Sequence, residues 1–217
     1  MAYDLSLVIP VLNQKNLTRN CLLSLQGCRL NLEVLIIDNG SHDGTGDMIR
    51  EEFPHVIYHY SRVNRGVTAA WQEGLQQASS PYVCIANNDV VFEPGCLEGL
   101  LRPLQQFDWI GVTSPETATH PEDNRPFPLF SEPTRIQACS QQTADFRIGY
   151  TGWAFTFRKE DFPEGFDPRL VIWYQDHDFL YTLLFKRRGL PPFRWPVPGK
   201  VPVIVPGARL YHVYQAS

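Results

Sequence analysis

Two apolar runs of β type, Val34-Leu35-Ile36-Ile37 and Tyr82-Val83-Cys84-Ile85, each lead into a polar loop that carries carboxylates. The first loop reads Asp38-Asn39-Gly40-Ser41-His42-Asp43-Gly44-Thr45 and the second Asn87-Asn88-Asp89-Val90. The repetition places acids at the carboxyl ends of two neighbouring strands, where open α/β sheets bind their ligands. A carboxylate there can accept a hydrogen bond from a base or ribose, or hold a divalent cation through its oxygens. The pattern implies a chain built around a nucleotide.

The same alternation extends over the first half of the sequence. Strand patterns at Leu5 to Ile9, Glu33 to Ile37, Val56 to Tyr60, Tyr82 to Ile85 and Ile110 to Thr113 are separated by helical patterns at Leu17 to Leu25, Thr45 to Phe53, Val67 to Ala78 and Cys96 to Phe107. Pro10 is expected to end the first strand. Continuous apolar strands spaced in this way predict an α/β fold with a mostly parallel central sheet and helices on both faces. From Ser114 to Ala144 the periodicity is lost among Pro115, Pro121, Pro126, Pro128 and Pro133, which predicts a long loop, functional or mobile. A strand returns at Trp153 to Phe157, then a turn at Gly165-Phe166-Asp167-Pro168. A helix from about Asp176 to Arg188 begins with acids and ends in Lys186-Arg187-Arg188-Gly189, the polarity that the helix dipole favours. Pro191 to Pro206 holds six prolines and reads as extended.

A length of 217 residues suits one domain of this class. The formal charge of -4 argues against nucleic acid as a partner, because binding a phosphate backbone leaves a basic footprint. Cys21, Cys28, Cys84, Cys96 and Cys139 are odd in number, show no CxxC spacing and read as buried, reduced thiols of a cytoplasmic protein. Leu5 to Leu12 is too short for a signal-peptide core and no run reaches the length of a membrane span. Contact with a membrane is therefore expected to be peripheral.

Six short motifs follow one another in order: Ile9-Pro10-Val11-Leu12-Asn13, Asp38-Asn39-Gly40-Ser41, Asn64-Arg65-Gly66, Asn87-Asn88-Asp89-Val90, Gly165-Phe166-Asp167 and Tyr174-Gln175-Asp176-His177-Asp178. In this order they resemble the family 2 inverting glycosyltransferases of the GT-A fold, and most closely the rhamnosyltransferase-like branch. The resemblance runs over nearly the whole chain. It implies a single GT-A domain over residues 1–217, with a Rossmann-like sheet, a nucleotide-sugar half at 1–114 and an acceptor half at 115–217. It also implies Mg2+ or Mn2+ as cofactor, a UDP-, dTDP- or GDP-sugar as donor, and a hydroxyl acceptor on a glycan, lipid-linked carrier or protein.

Carried over residue by residue, the resemblance assigns Pro10, Asn13, Asp38, Gly40, Ser41, Asn64, Gly66, Asn87 and Asn88 to the nucleotide sugar. Asp89 and His212 become the metal ligands, with Asn87 standing where the family has the first acid of an Asp-x-Asp motif. Asp176 becomes the base that takes the acceptor's proton as its oxygen attacks the anomeric carbon. Asp178 lies about 200° further round a helix and reads as a helix-start acid, with the exchanged assignment left open. Gly152, Trp153, Trp173 and Tyr174 fall to the acceptor, since aromatic rings stack on sugars.

Each motif also has a plain reading. Asp38-Asn39-Gly40-Ser41 can be a strand-to-helix turn, Asn87-Asn88-Asp89 a decorated helix start, His212 a structural histidine and Trp153 a core residue. Two rival functions follow. One is a GT-A sugar-nucleotide binding protein without turnover, suggested by Asn87 and Gln175 at acid positions. The other is a sugar-phosphate nucleotidyltransferase, disfavoured because Pro10 to Lys15 contains no glycine.

Overall fold

The computed structural model describes residues 2–118, 147–148, 151–163, 165–166 and 200–213. The expected alternation is present: β1 (Leu5–Val11), α1 (Lys15–Ser24), β2 (Leu32–Asp38), α2 (Thr45–Glu52), β3 (Ile57–Tyr60), α3 (Val67–Gln77) and β4 (Tyr82–Ala86). After these come β5 (Val90–Phe92), α4 (Cys96–Gln106), β6 (Ile110–Ala118), β7 (Arg147–Ile148), β8 (Ala154–Arg158) and β9 (Val201–His212).

These strands join in one sheet of order β3-β2-β1-β4-β8-β6-β9-β5, with β7 also paired to β9. β3, β2, β1 and β4 run parallel, β8 is antiparallel to both β4 and β6, and β9 returns parallel to β6. The strand order reverses at β1, whose neighbours are the later strands β2 and β4. Loops leaving β1, β2 and β4 therefore open at the switch point, the crevice in which doubly wound sheets place ligands.

Side-chain alternation along β1 divides the core in two. Leu5, Leu7, Ile9 and Val11 face the cluster filled by Cys21 and Leu22 of α1, Met48 and Ile49 of α2, and Leu97 and Leu100 of α4. Val8 faces the second cluster, where α3 contributes Ala70, Trp71 and Leu75. Helices thus cover both faces, as a buried parallel sheet requires. In the second cluster Phe162 and Phe166 meet at 5.0 Å between ring centroids and Trp71 lies 5.3 Å from Phe166. With the Phe166 N–H donating to Gln72 Oε1 at 2.7 Å, this fastens Gly165-Phe166 to α3.

Three expectations are corrected. Pro10 does not end β1; it stays paired with Ile37, because β4 leaves β1 after Val8 and the missing N–H falls where one side of the strand is open. Regular structure does not stop at Ser114, since β6 continues to Ala118 by pairing with β9, with register shifts at Ile110/Val112 and Pro115/Glu116. Cys28 is half-buried, whereas Cys21, Cys84 and Cys96 are buried free thiols. The expected helix from Asp176 to Arg188, the residue Cys139 and most of the proline-rich stretch lie outside the described residues.

Candidate functional site

The loops after β1 and β2 are tied together residue by residue. Asn13 and Gln14 take left-handed backbone at φ 59° and 62°, a conformation that asparagine tolerates better than most side chains. In that pose the Asn13 N–H donates to Ser41 Oγ at 2.7 Å and Asn13 Oδ1 accepts from the His42 N–H at 2.9 Å. The Lys15 N–H donates to Asp43 Oδ2 at 2.8 Å, and Asp43 Oδ1 accepts from Thr45 Oγ1 at 2.5 Å. Burial would raise the Asp43 carboxyl, but the hydrogen bonds from Thr45 and Lys15 outweigh it and hold the group below the usual carboxylate range.

Asp38 is fully buried at the end of β2. Its Oδ1 accepts from the N–H groups of Gly40 at 3.0 Å and Ser41 at 2.7 Å, an Asx-type turn. Gly40 sits at φ 100°, and a Cβ there would lie 3.3 Å from the Ser61 carbonyl oxygen, so this turn needs glycine. Asn39 donates through Nδ2 to the Gly66 carbonyl at 3.0 Å and its buried Oδ1 has no hydrogen-bond partner among the described residues. The Gly66 N–H in turn donates to Asn64 Oδ1 at 2.8 Å. Asn64 and Gly66 are thereby brought to the Asp38 loop. Neighbouring Arg65 is ion-paired with Glu73.

The second acidic loop meets the last strand. β5 pairs antiparallel with β9, Val90 opposite His212, and the Val213 N–H donates to the Asp89 carbonyl at 2.7 Å. This register sets His212 Nε2 3.1 Å from Asp89 Oδ2, with the His212 side chain 6% exposed. The other oxygen, Asp89 Oδ1, is buried without a hydrogen-bond partner among the described residues. Trp153 stacks on the His212 ring at 4.0 Å between centroids and 23° between planes. Its carbonyl accepts from the Asn87 N–H at 2.8 Å. Asn88 Nδ2 donates to Thr18 Oγ1 at 3.0 Å, anchoring the loop to α1. Burial, then the neighbouring Asp89 charge, push the Cys21 thiol well up, so it stays neutral beneath the loop.

Asp89, His212, Trp153 and Asn87 therefore form one group and Asn13, Asp38, Gly40, Ser41, Asn64 and Gly66 another, both carried by loops and strand ends at the same sheet edge. Pro10 remains in β1, and Gly152 adjoins Trp153 in the turn before β8. Asp176, Asp178, Trp173 and Tyr174 lie outside the described residues. Among the described residues no set of three or more His, Cys, Asp or Glu side chains comes together as a metal cage, and no helix is long and apolar enough to cross a membrane. The sequence reading missed Tyr58, whose hydroxyl donates to Asp38 Oδ2 at 2.6 Å. The signal for it is strand alternation, which points Tyr58 and Tyr60 to the same face beside the end of β2.

The profile of the family described as "Glycosyl transferase family 2" matches residues 6–166. A glycosyltransferase of Streptococcus pneumoniae, GlyA, is 29% identical over 106 residues, covering 48% of this chain and 15% of that protein. The crystal structure of S. aureus TarS residues 1–349 in complex with UDP superposes with a TM-score of 0.70 at 16% identity, over 97% of this chain and 60% of that one. The mannosyltransferase PcManGT from Pyrobaculum calidifontis, in complex with GDP-Man and Mn2+, gives 0.67 at 15% identity, over 97% and 57%. The chain thus spans about three fifths or less of the length of these relatives.

Proposed function

Because this chain belongs to glycosyl transferase family 2, we propose that it moves a sugar from a nucleoside-diphosphate donor to a hydroxyl acceptor, with inversion at the anomeric carbon. The observation that carries the reading is the pairing of Asp89 with His212 at the sheet edge that also holds Asp38, Asn13 and Ser41. Fold neighbours bind UDP, and GDP-Man with Mn2+, which supports a nucleotide sugar as donor.

The residues present fit a divalent cation. A carboxylate oxygen without a hydrogen-bond partner among the described residues and an imidazole nitrogen beside the same carboxylate are ligands that Mn2+ or Mg2+ accepts. Bound there, the cation would offset the charge of the leaving diphosphate. Asp89 and His212 supply two ligands, so the remaining positions fall to diphosphate oxygens and water. Asn87 contributes hydrogen bonds through its amide. Asn13, Ser41, Asn64 and Gly66 shape the nucleotide pocket, with Pro10, Gly40 and Asn88 fixing its loops. Asp176 takes the acceptor proton, and Trp173, Tyr174 and Gly152 line the acceptor side. Trp153 holds the His212 ring as well as facing that side.

A single domain with a donor half and an acceptor half belongs to the same reading. β6 runs through the boundary at residue 114 and pairs with β8 and β9 beyond it, which supports one continuous sheet for both halves. Cytoplasmic residence and peripheral membrane contact belong to it too. The test is thermal melting of the protein with UDP-, dTDP- and GDP-sugars, each in Mn2+ and in EDTA. A rise in Tm with at least one donor in Mn2+, lost in EDTA, is expected; no rise with any of them overturns the reading.

A further inference from the structure

Three side chains of α1 belong to none of the motifs above, yet all of them bind the segment that carries Asp89. Thr18, Cys21 and Ser24 recur at every third position, so they lie along one side of the helix. Thr18 Oγ1 accepts from Asn88 Nδ2 at 3.0 Å, the Cys21 thiol donates to the Asn87 carbonyl at 3.9 Å, and Ser24 Oγ accepts from the Phe92 N–H at 3.1 Å. Ser24 also donates to the Cys21 carbonyl at 2.6 Å, which commits its hydrogen and leaves a lone pair for β5. The helix itself is a fixed support. Its start is tied to the loop after β2 by the Asn13 N–H on Ser41 Oγ and the Lys15 N–H on Asp43 Oδ2, and Arg19 is ion-paired with Glu52 of α2.

Asp89 lies between these anchors, and its carboxylate has few other restraints. Oδ2 meets His212, while Oδ1 is buried without a hydrogen-bond partner among the described residues. The direction of Oδ1 therefore follows from the backbone on which Asp89 stands. That matters for a cation, because a ligand has to be held within about 0.5 Å of its working geometry, and groups that only orient ligands account for roughly 10- to 100-fold in metal affinity. Thr18 anchors the residue next to Asp89 and is only 1% exposed, so bulk water does not stand in for its hydroxyl.

We propose that Thr18 is a positioning residue for the divalent cation: by holding Asn88 against α1 it fixes the peptide that aims Asp89. The inference rests on the cation-site reading above. Thr18 touches neither cation nor nucleotide in this account, so its effect falls on the part of donor binding that the cation supplies. The ratio of nucleotide affinity in Mn2+ to that in EDTA measures that part.

The test is titration of the protein with UDP, dTDP and GDP, each in Mn2+ and in EDTA, for the parent, Thr18→Val, Thr18→Ser, Asn88→Ala and the Thr18→Val, Asn88→Ala double variant, with a thermal melt of each. For the nucleotide that the parent binds best, the ratio should be at least about tenfold. Thr18→Val keeps the shape and removes the hydroxyl, so the ratio should fall by about threefold to tenfold, with affinity in EDTA unchanged. Thr18→Ser should restore it. Asn88→Ala breaks the same contact from the other side, and the double variant should lose no more than either single one. A Thr18→Val protein with the parent's ratio and only a lower Tm overturns the role of Thr18 and leaves the cation site standing; so does a double variant whose losses add. Should Thr18→Val fail to fold, an unchanged ratio in Asn88→Ala overturns the role in the same way. A parent that binds equally in Mn2+ and EDTA, or binds none of the three, overturns the cation-site reading and the role of Thr18 with it.

Discussion

His212, at the end of β9, sets its Nε2 3.1 Å from Oδ2 of Asp89, in the loop after β4. The sheet is the cause of this meeting. β5 is only three residues long, yet its antiparallel pairing with Leu210, Tyr211 and His212 fixes the register that brings a late imidazole to an early carboxylate. Trp153, in the turn before β8, then closes over the imidazole.

Replacing Asp89 with Ala should weaken binding of a nucleoside diphosphate by about tenfold or more in Mn2+ and change it little in EDTA, since a ligand to the cation acts only when the cation is present. Isothermal titration of parent and variant in both buffers checks this. Equal affinities in Mn2+ would remove Asp89 from the metal site.

Trp153 can be separated from a purely acceptor-facing role. Its ring stacks on His212, so Trp153→Leu should loosen the imidazole and reduce Mn2+-dependent donor binding by about threefold to tenfold, the scale of an aromatic pair. A side chain that served the acceptor alone would leave donor affinity in Mn2+ as it was and raise only the KM for acceptor.

Gly74 is where α3 comes down on β1, and an added Cβ would run into the methyl groups of Val8 in the second core cluster. Gly74→Ala should lower stability by about 1–3 kcal/mol, the usual cost of overpacking, seen as a lower urea midpoint. Val8→Ala in the same chain should recover part of that loss. Additive effects in the double variant would mean that the two residues do not press on each other.

Glu33 lies nearly buried on β2, with its carboxylate accepting from Ser6 Oγ and from the N–H and hydroxyl of Ser79. Burial raises this carboxyl, but the Ser6 and Ser79 hydrogen bonds outweigh it and hold the group below its ordinary value. Its contribution to stability is therefore complete above the unfolded value of about 4.3 and is lost as pH falls through the lower folded value. Urea unfolding at about pH 6 and about pH 3.5 should show a loss that Ser79→Ala makes smaller. An identical pH dependence in the variant would assign the loss to other carboxylates.

The fold was largely legible because its signals are local. Buried parallel strands leave continuous apolar runs, and the predicted segments from Leu5 to Thr113 match the observed elements to within about two residues at most ends. What was not legible depends on distant partners. β5 and the length of β9 exist through pairing across the sheet, and β9 holds Pro202, Pro206 and Gly207, which read as breakers. The pocket loops were readable from Asp38, Gly40 and Ser41, since turn chemistry is written in neighbouring residues. Tyr58 was not, because its tie to Asp38 crosses from the edge strand and depends on a glycine in another helix.

Asp176 is the residue on which turnover should depend. Inverting transfer needs one carboxylate to take the acceptor proton while oxygen attacks opposite the departing diphosphate. Asp176→Asn keeps size and most hydrogen bonding but removes basicity, so donor affinity should hold while turnover falls by roughly 10²-fold or more. Asp178→Asn, read from the sequence as a helix-start acid about 200° away on the helix, should cost at most about 1 kcal/mol of stability and leave turnover near the parent value. Steady-state rates at saturating donor, with Tm measured on the same samples, separate the two. If Asp178→Asn silences a folded enzyme and Asp176→Asn stays active, the roles are exchanged. If both variants turn over normally, neither acid is the base, and Gln175 in place of the family's glutamate becomes the first position to restore and measure.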